Sequence, residues 1–412
     1  MRFQKKTLNL LVLATVLLLS NAAEGFYEHS DESGSFEARG FLDFTGGYSS
    51  NPDLQLFYKN RYDHSYGAAA RLLANGTVGP EFGFEFNGVA YGYGSTASIP
   101  FVADVERSSA AEWTMRDTDQ SRIHLAIDHL NLRFTSGGED LIVGRQAINF
   151  ASCFYFTPND FFAPFSAQTF FRVYKPGVDA LRLEVKLGEL SQLSLVAALG
   201  YTPDKTGANG WSASPDGARN SYLAKVSTAF ANFQWSALAG RVADATIIGG
   251  SLQGEVFHWL GIRGEGHYAS VAGGSYAKAA IGLEHRFSDG ITVRYEEFYN
   301  GQGAGGASQY DPATWNSDYY HAMNYGALGI GYQFSPLLTC EALRIVNFTD
   351  GSVLTAFYAV YSLSDNSELS AGLNLPYGNS GSDGLGFPPS LTIGSEYGVF
   401  PYSASVDLRL YF

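Results

Sequence analysis

Arg182, Glu184 and Lys186 occupy alternate positions in "VDALRLEVKL" (178–187), opposite a mostly apolar set of Asp179, Leu181, Leu183, Val185 and Leu187. A period of two sends the two sets to opposite faces of a strand. A face carrying fixed charge of both signs, backed by hydrocarbon, suits electrostatic sorting of small solutes better than bond chemistry. The pattern recurs at Arg133, which sits opposite Leu130, Leu132 and Phe134. It returns at Arg294 and Glu296, opposite Val293 and Tyr295.

Bond-making chemistry finds little support. "HYASVAG" offers His267 and Ser270, and "EHRFSD" offers His285 and Asp289, but neither pair has a third partner at a spacing that defines a nucleophile site. There is no HExxH, no paired CxxC and no CxxCH, so no enzyme activity, metal or cofactor is expected. A net charge of −14 argues against nucleic acid, whose phosphates need a basic surface. Two cysteines, Cys153 and Cys340, cannot make a disulfide framework, and their spacing does not say whether they pair.

The elements that must position these charges follow from the chain's ends and its periodicity. "MRFQKK", the apolar "LLVLATVLLLS" and the small residues of "NAAEG" read as a secretory signal peptide over 1–25, leaving 26–412 as one exported unit. No later segment reaches the roughly 18 apolar residues of a spanning helix. Alternating segments of about ten residues recur instead. They predict strands at 36–46, 61–74, 78–91, 121–135, 138–149, 177–187, 191–201, 220–230, 231–243, 246–256, 259–270, 275–288, 290–299, 324–334, 337–348, 352–363, 366–375 and 403–412.

That makes about eighteen strands, within a range of 16–20 because "SLTIGSEYGVF" (390–400) also alternates. On this count the long connections 47–60, 92–120, 150–176, 202–219, 300–323 and 376–402 all fall on one side, and eight short turns, among them "NGT" at 75–77, fall on the other. One-sided long loops, even strand number and no helix predict an all-β, transmembrane, antiparallel up-and-down β-barrel. Closure satisfies every backbone group in lipid and leaves no edge.

The final run "SASVDLRLYF" places Ala404, Val406, Leu408, Leu410 and Phe412 on one face, with Arg409 and Asp407 between them. It resembles the terminal assembly signal of outer-membrane barrel proteins. That resemblance implies outer-membrane lipid as surroundings and the barrel assembly machinery as a partner. The stretch "EDLIVGRQAINFASCFYFTPNDFFAPF" (139–165) with "RVYKPGVDALRLEV" (172–185) resembles the "GRQ" strand and following loop of Gram-negative porins, including alginate-export-like channels. In those families the loop folds into the pore, and a homotrimer is a common assembly.

The third long connection, 150–176, is therefore the expected constriction, with Asp160, Arg172 and Lys175 as its charges and Pro158, Pro164 and Pro176 stiffening it. Arg145 is expected inside, because an arginine facing lipid costs about 2–4 kcal/mol at the midplane. The expected pore-lining set is Arg133, Arg145, Asp160, Arg172, Lys175, Arg182, Glu184, Lys186, Arg294 and Glu296. Phe44, Tyr91, Phe134, Tyr299, Tyr332 and Phe348, near strand ends, are expected in the interfacial aromatic belts. The expected function is an aqueous channel for small hydrophilic or anionic solutes. The alternative is a porin-like sheath around a multihaem cytochrome, in which the small residues of "GGSLQGEV", "GIRGEGHYA" and "KAAIGLE" leave room for the partner.

Overall fold

The computed structural model describes residues 27–412 except 98–103, 171–172, 207–208, 313–314, 316–318 and 385–389. The expected signal peptide and Arg172 lie outside the described residues. Eighteen antiparallel strands close on themselves: β1 (Gly34–Ser50), β2 (Tyr62–Val78), β3 (Phe82–Ser95), β4 (Ser121–Ser136), β5 (Glu139–Gln146), β6 (Val178–Lys186), β7 (Ser191–Ala198), β8 (Ser221–Phe230) and β9 (Phe233–Val242) form the first half. The second half is β10 (Ala245–Val256), β11 (Leu260–Val271), β12 (Gly274–Arg286), β13 (Thr292–Asn300), β14 (Asn324–Ser335), β15 (Leu338–Asn347), β16 (Val353–Ser364), β17 (Ser367–Tyr377) and β18 (Tyr402–Tyr411).

Each strand pairs with the next, and β18 pairs with β1 from Tyr411↔Phe41 to Tyr402↔Ser50. Phe412 continues that seam, donating its N–H to Gly40 O at 2.9 Å and accepting from Gly40 N at 2.7 Å. Ala404, Val406, Leu408 and Leu410 share the outer face, while Asp407 and Arg409 turn inward, Arg409 toward Asp43 and Glu368.

Two further strands join the same sheet without extending the ring. Tyr27–Asp31 pairs along the start of β1, and Glu112–Thr118 pairs with the upper part of β4. The connections sort by side as expected, with eight short turns at one end and the long connections 51–61, 96–120, 147–177, 199–220, 301–323 and 378–401 at the other, where the short turns 243–244, 272–273 and 348–352 also lie. The alternating stretch 390–400 adds nothing to the wall: Ser390–Ile393 pairs with Gly381–Gly384 as a hairpin within the last long loop.

One expected turn is displaced. Asn75 and Gly76 lie inside β2, and the reversal comes at 79–81, where Gly79 takes φ 62°. Gly76 marks a crowded strand position: a Cβ there would stand 2.4 Å from Ser35 O. Turn chemistry and close backbone approach select the same residue.

The outer surface is apolar, with exposed Leu72, Leu132, Ile248, Ile281 and Val406. Aromatic side chains ring both ends, Phe230, Phe257, Trp259 and Phe334 at the short turns and Tyr222, Tyr299, Phe348 and Tyr402 at the long loops. Tyr91 departs from its expected place in this belt. It pairs with Ala69 and His124 on the inner face, its ring 5.3 Å from the buried His124 imidazole.

Candidate functional site

The inward faces of β11 and β13 carry Glu265 and Glu296 at alternate positions with Arg263 and Arg294. A carboxylate has acceptor sites for several donors, and here both are filled by main chain from the third long loop. Glu296 accepts from the backbone N–H groups of Phe154, Tyr155 and Phe156 at 2.5, 2.8 and 3.0 Å. Glu265 accepts from Ser152, from Cys153 at 2.9 Å and from Asn159 at 2.9 Å. Six consecutive or nearly consecutive N–H groups are thereby taken out of an interior that would otherwise leave them unsatisfied.

These bonds fix the loop 147–177 across the bore. It leaves β5 with Ile148 and Phe150 buried against Val178, Val196 and Leu223 on β6–β8. At the far wall the Phe156 ring stacks on Phe298 at 5.1 Å, and the Tyr155 hydroxyl reaches Glu341 on β15 at 3.4 Å. On the return, Phe170 stacks on Tyr358 of β16 and Tyr174 on Phe41 of β1, each at 5.0 Å. Asp160, buried, and Lys175, half-buried, form an ion pair inside the loop and brace it between the two open volumes it separates. Gly177 N then donates to Asp128 O at 3.2 Å.

Asp128 is where β4 changes phase. His129 opposes Asn87 and Ile127 opposes Gly88, so Asp128 has no partner and both it and His129 point inward. The bulge aims a carboxylate at Arg71 (2.6 Å) and Arg107 (2.9 Å). Arg107 also binds Glu112 at 2.5 Å, and His124 Nε2 lies 3.1 Å from the same carboxylate.

Arg145 belongs to this cluster, against the expectation that it lines the pore. β5 and β6 are short, and the wall above them is completed by the second long loop. Arg145 fills that junction, donating to Asp179 at 2.8 Å, to Ile127 O at 2.9 Å and to Ser108 O at 2.7 Å. It is 4% exposed and so cannot meet a solute. Glu296, at 0%, is likewise an anchor and not a lining group. Asp179, on the apolar register of β6, is excused from lipid by the same contacts, including the Tyr201 hydroxyl at 3.0 Å.

Of the expected charges, Arg133, Arg182, Glu184, Lys186 and Arg294 remain along the bore. Arg133 is half exposed and paired with Asp140. Arg182 lies 3.6 Å from Glu184, and Lys186 is exposed at the short-turn end. Arg294 pairs with Glu284 at 2.6 Å while its guanidinium lies 4.4 Å from the Phe154 ring centre. Arg263 stands over the other side of the contact, 3.9 Å from the same ring, with Nη1 donating to Ser152 O. Arg263 and Glu265 were not among the expected residues, although "GIRGEGHYA" carries the same alternation of charges that identified Arg294 and Glu296.

Open volume lies on both sides of the loop. Toward the long loops a cavity of about 910 Å³ is bordered by Phe161, His267, Tyr276, Lys278 and Tyr319. Toward the short turns, one of about 1100 Å³ is bordered by Arg39, Glu85, His129, Tyr174 and Tyr411. The arrangement is a narrowing with a vestibule at each end.

No protein-family model and no curated protein matches the sequence. Solved structures do match in fold. Acinetobacter baumannii OccAB1 aligns with a TM-score of 0.55 at 12% identity, covering 91% of this chain and 96% of that one. OccAB3 of the same organism gives 0.55 at 10% identity, covering 92% and 99%. Pseudomonas aeruginosa OccD3 (OpdP) gives 0.52 at 10% identity, covering 91% of each chain. At these identities the likeness is one of architecture: the chain has the closed 18-strand barrel fold of Gram-negative porin structures.

Proposed function

We propose that the chain is an outer-membrane porin, an aqueous channel through which small hydrophilic solutes pass and small anions pass best. One observation carries this: the third long loop crosses the bore and is fixed to the far wall by Glu265 and Glu296, with the guanidinium groups of Arg263 and Arg294 flanking the crossing. The two carboxylates spend their charge on six main-chain N–H groups, whereas Arg263 and Arg294 stand against Phe154 at the crossing, with Glu284 pairing Arg294 alone. Charged walls close to a constriction set ion selectivity. The apolar outer belt, with aromatic rings at both ends, supports outer-membrane lipid as the surroundings. The Phe412 strand supports recognition by the barrel assembly machinery.

The sheath alternative loses its main support in the wall. The small residues that were to make room for a cytochrome make room for the chain itself. A Cβ on Gly282 would lie 2.8 Å from Glu296 Cγ, and one on Gly249 would lie 2.8 Å from His267 Cβ.

Planar-bilayer recording tests the proposal. Folded protein should conduct, with a reversal potential in a salt gradient that favours anions. Arg182→Ala and Arg294→Ala should each shift that potential toward cations. Bilayers that stay silent with correctly folded protein would sink the channel reading, and conduction without anion preference would remove its selectivity.

A further inference from the structure

Among the described residues, the outer face carries two charged side chains within the apolar belt, and both lie on the same patch. Glu297 projects outward from β13, between Tyr295 and Tyr299, its carboxylate accepting from the Tyr295 hydroxyl at 2.6 Å. Arg344 projects outward from β15, beyond Leu328 of β14, with Thr355 Oγ1 at 3.3 Å. Both are exposed. Tyr299 and Phe348 stand beyond them at the long-loop end, and Tyr332 and Phe334 at the other, so neither charge reaches a strand end where water would meet it. Among the described residues, the other outward-facing charged side chains of the strands, such as Arg241 of β9 and His285 of β12, sit at strand ends.

Beside Arg344 the same face hollows into an apolar groove of about 450 Å³, its floor built from Cys340, Ala342, Ala359 and Ala371 between Phe334 and Phe357. Small side chains permit a second surface to approach closely. A charge facing hydrocarbon is costly, and most so near the midplane, unless protein covers it.

We propose that the β13–β16 face is an interface with a second copy of this chain. The patch holds one charge of each sign, so it is complementary to itself: a two-fold axis along the membrane normal turns Glu297 of each copy toward Arg344 of the other. A three-fold ring would instead set the patch against a different face, which offers no matching charge inside the belt. An anionic lipid headgroup would be drawn to Arg344 but repelled by Glu297 nearby. The inference rests on the barrel lying in a membrane, which conductance tests separately.

The protein carries its own probe. Cys340 lies in the groove, while Cys153 is buried in the loop across the bore. Treating native outer membranes with a bis-maleimide should give a covalent dimer that disappears in Cys340→Ser. Glu297→Arg and Arg344→Glu should each lose the dimer, and the double reversal should regain it. A heat-modifiable gel shift establishes that every variant is folded. Wild-type protein that conducts but stays monomeric overturns the interface and leaves the channel standing. A dimer indifferent to the single reversals also overturns it, as does a monomer carrying lipopolysaccharide that Arg344→Glu releases.

Discussion

The Tyr155 hydroxyl stands where a side chain on Gly329 would begin, only 1.7 Å from the position of a Cβ there. The loop and the β14 wall are therefore fitted to each other. Gly329→Val should push Tyr155 off the wall at a cost of about 1–3 kcal/mol for overpacking. Single-channel conductance should rise as the narrowing opens, and Tyr155→Ala in the same chain should restore thermal stability.

Glu296 is held by three N–H donors, so its amide counterpart is a poor substitute. Glu296→Gln keeps one acceptor oxygen and turns an NH₂ group toward donors, costing roughly 1–3 kcal/mol for buried groups left unsatisfied. Limited proteolysis within 147–177 should accelerate, while cleavage in the other long loops should not change.

Arg145→Ala separates support from selection. Removing one partner of a buried ion pair costs about 3–5 kcal/mol, because Asp179 and Glu112 remain. The folded barrel should lose its heat resistance on a gel, yet the channels that survive should keep the wild-type reversal potential. A changed potential would return Arg145 to the pore lining.

The last long loop is fastened by Glu396, which is fully buried and accepts from the Tyr325 hydroxyl and, at 2.8 Å, from Asn347 Nδ2. Burial pushes its carboxyl up from 4.5 to about 8, against the opposing pull of the Tyr325 hydroxyl and with the Asp350 carboxylate adding to the rise. The docked loop holds the proton more tightly than the free loop, so docking is strongest below about 4.5 and is progressively lost as pH climbs through about 8. Hydrogen exchange over 378–401 should quicken across that window, and Glu396→Gln should abolish the dependence.

The barrel was legible because its signal is repeated: eighteen weak alternations and the side of every long loop had to agree. Even the phase slip near Asp128 could be read, since Leu130 and Leu125 cannot both face lipid without an extra residue between them. The site was legible only in part. Period separates the two faces of a strand but not an exposed inward charge from a buried one, so Arg182 and Glu296 looked alike. What distinguishes them is the loop, whose path is set by contacts more than a hundred residues away, such as Ser152 with Glu265. Gly249 and Gly282 were read as space for another protein, because sequence shows a gap and not its occupant.

Glu265 and Glu296 grip main chain, and every residue except proline offers the same N–H. The half-buried side chains at 152 and 154 can therefore be exchanged without giving up those bonds, while Tyr155 and Phe156 keep the loop packed on the wall. The wall supplies a socket and the loop a replaceable cartridge: new solute preferences can arise by substitution along one short segment while the eighteen strands around it stay as they are.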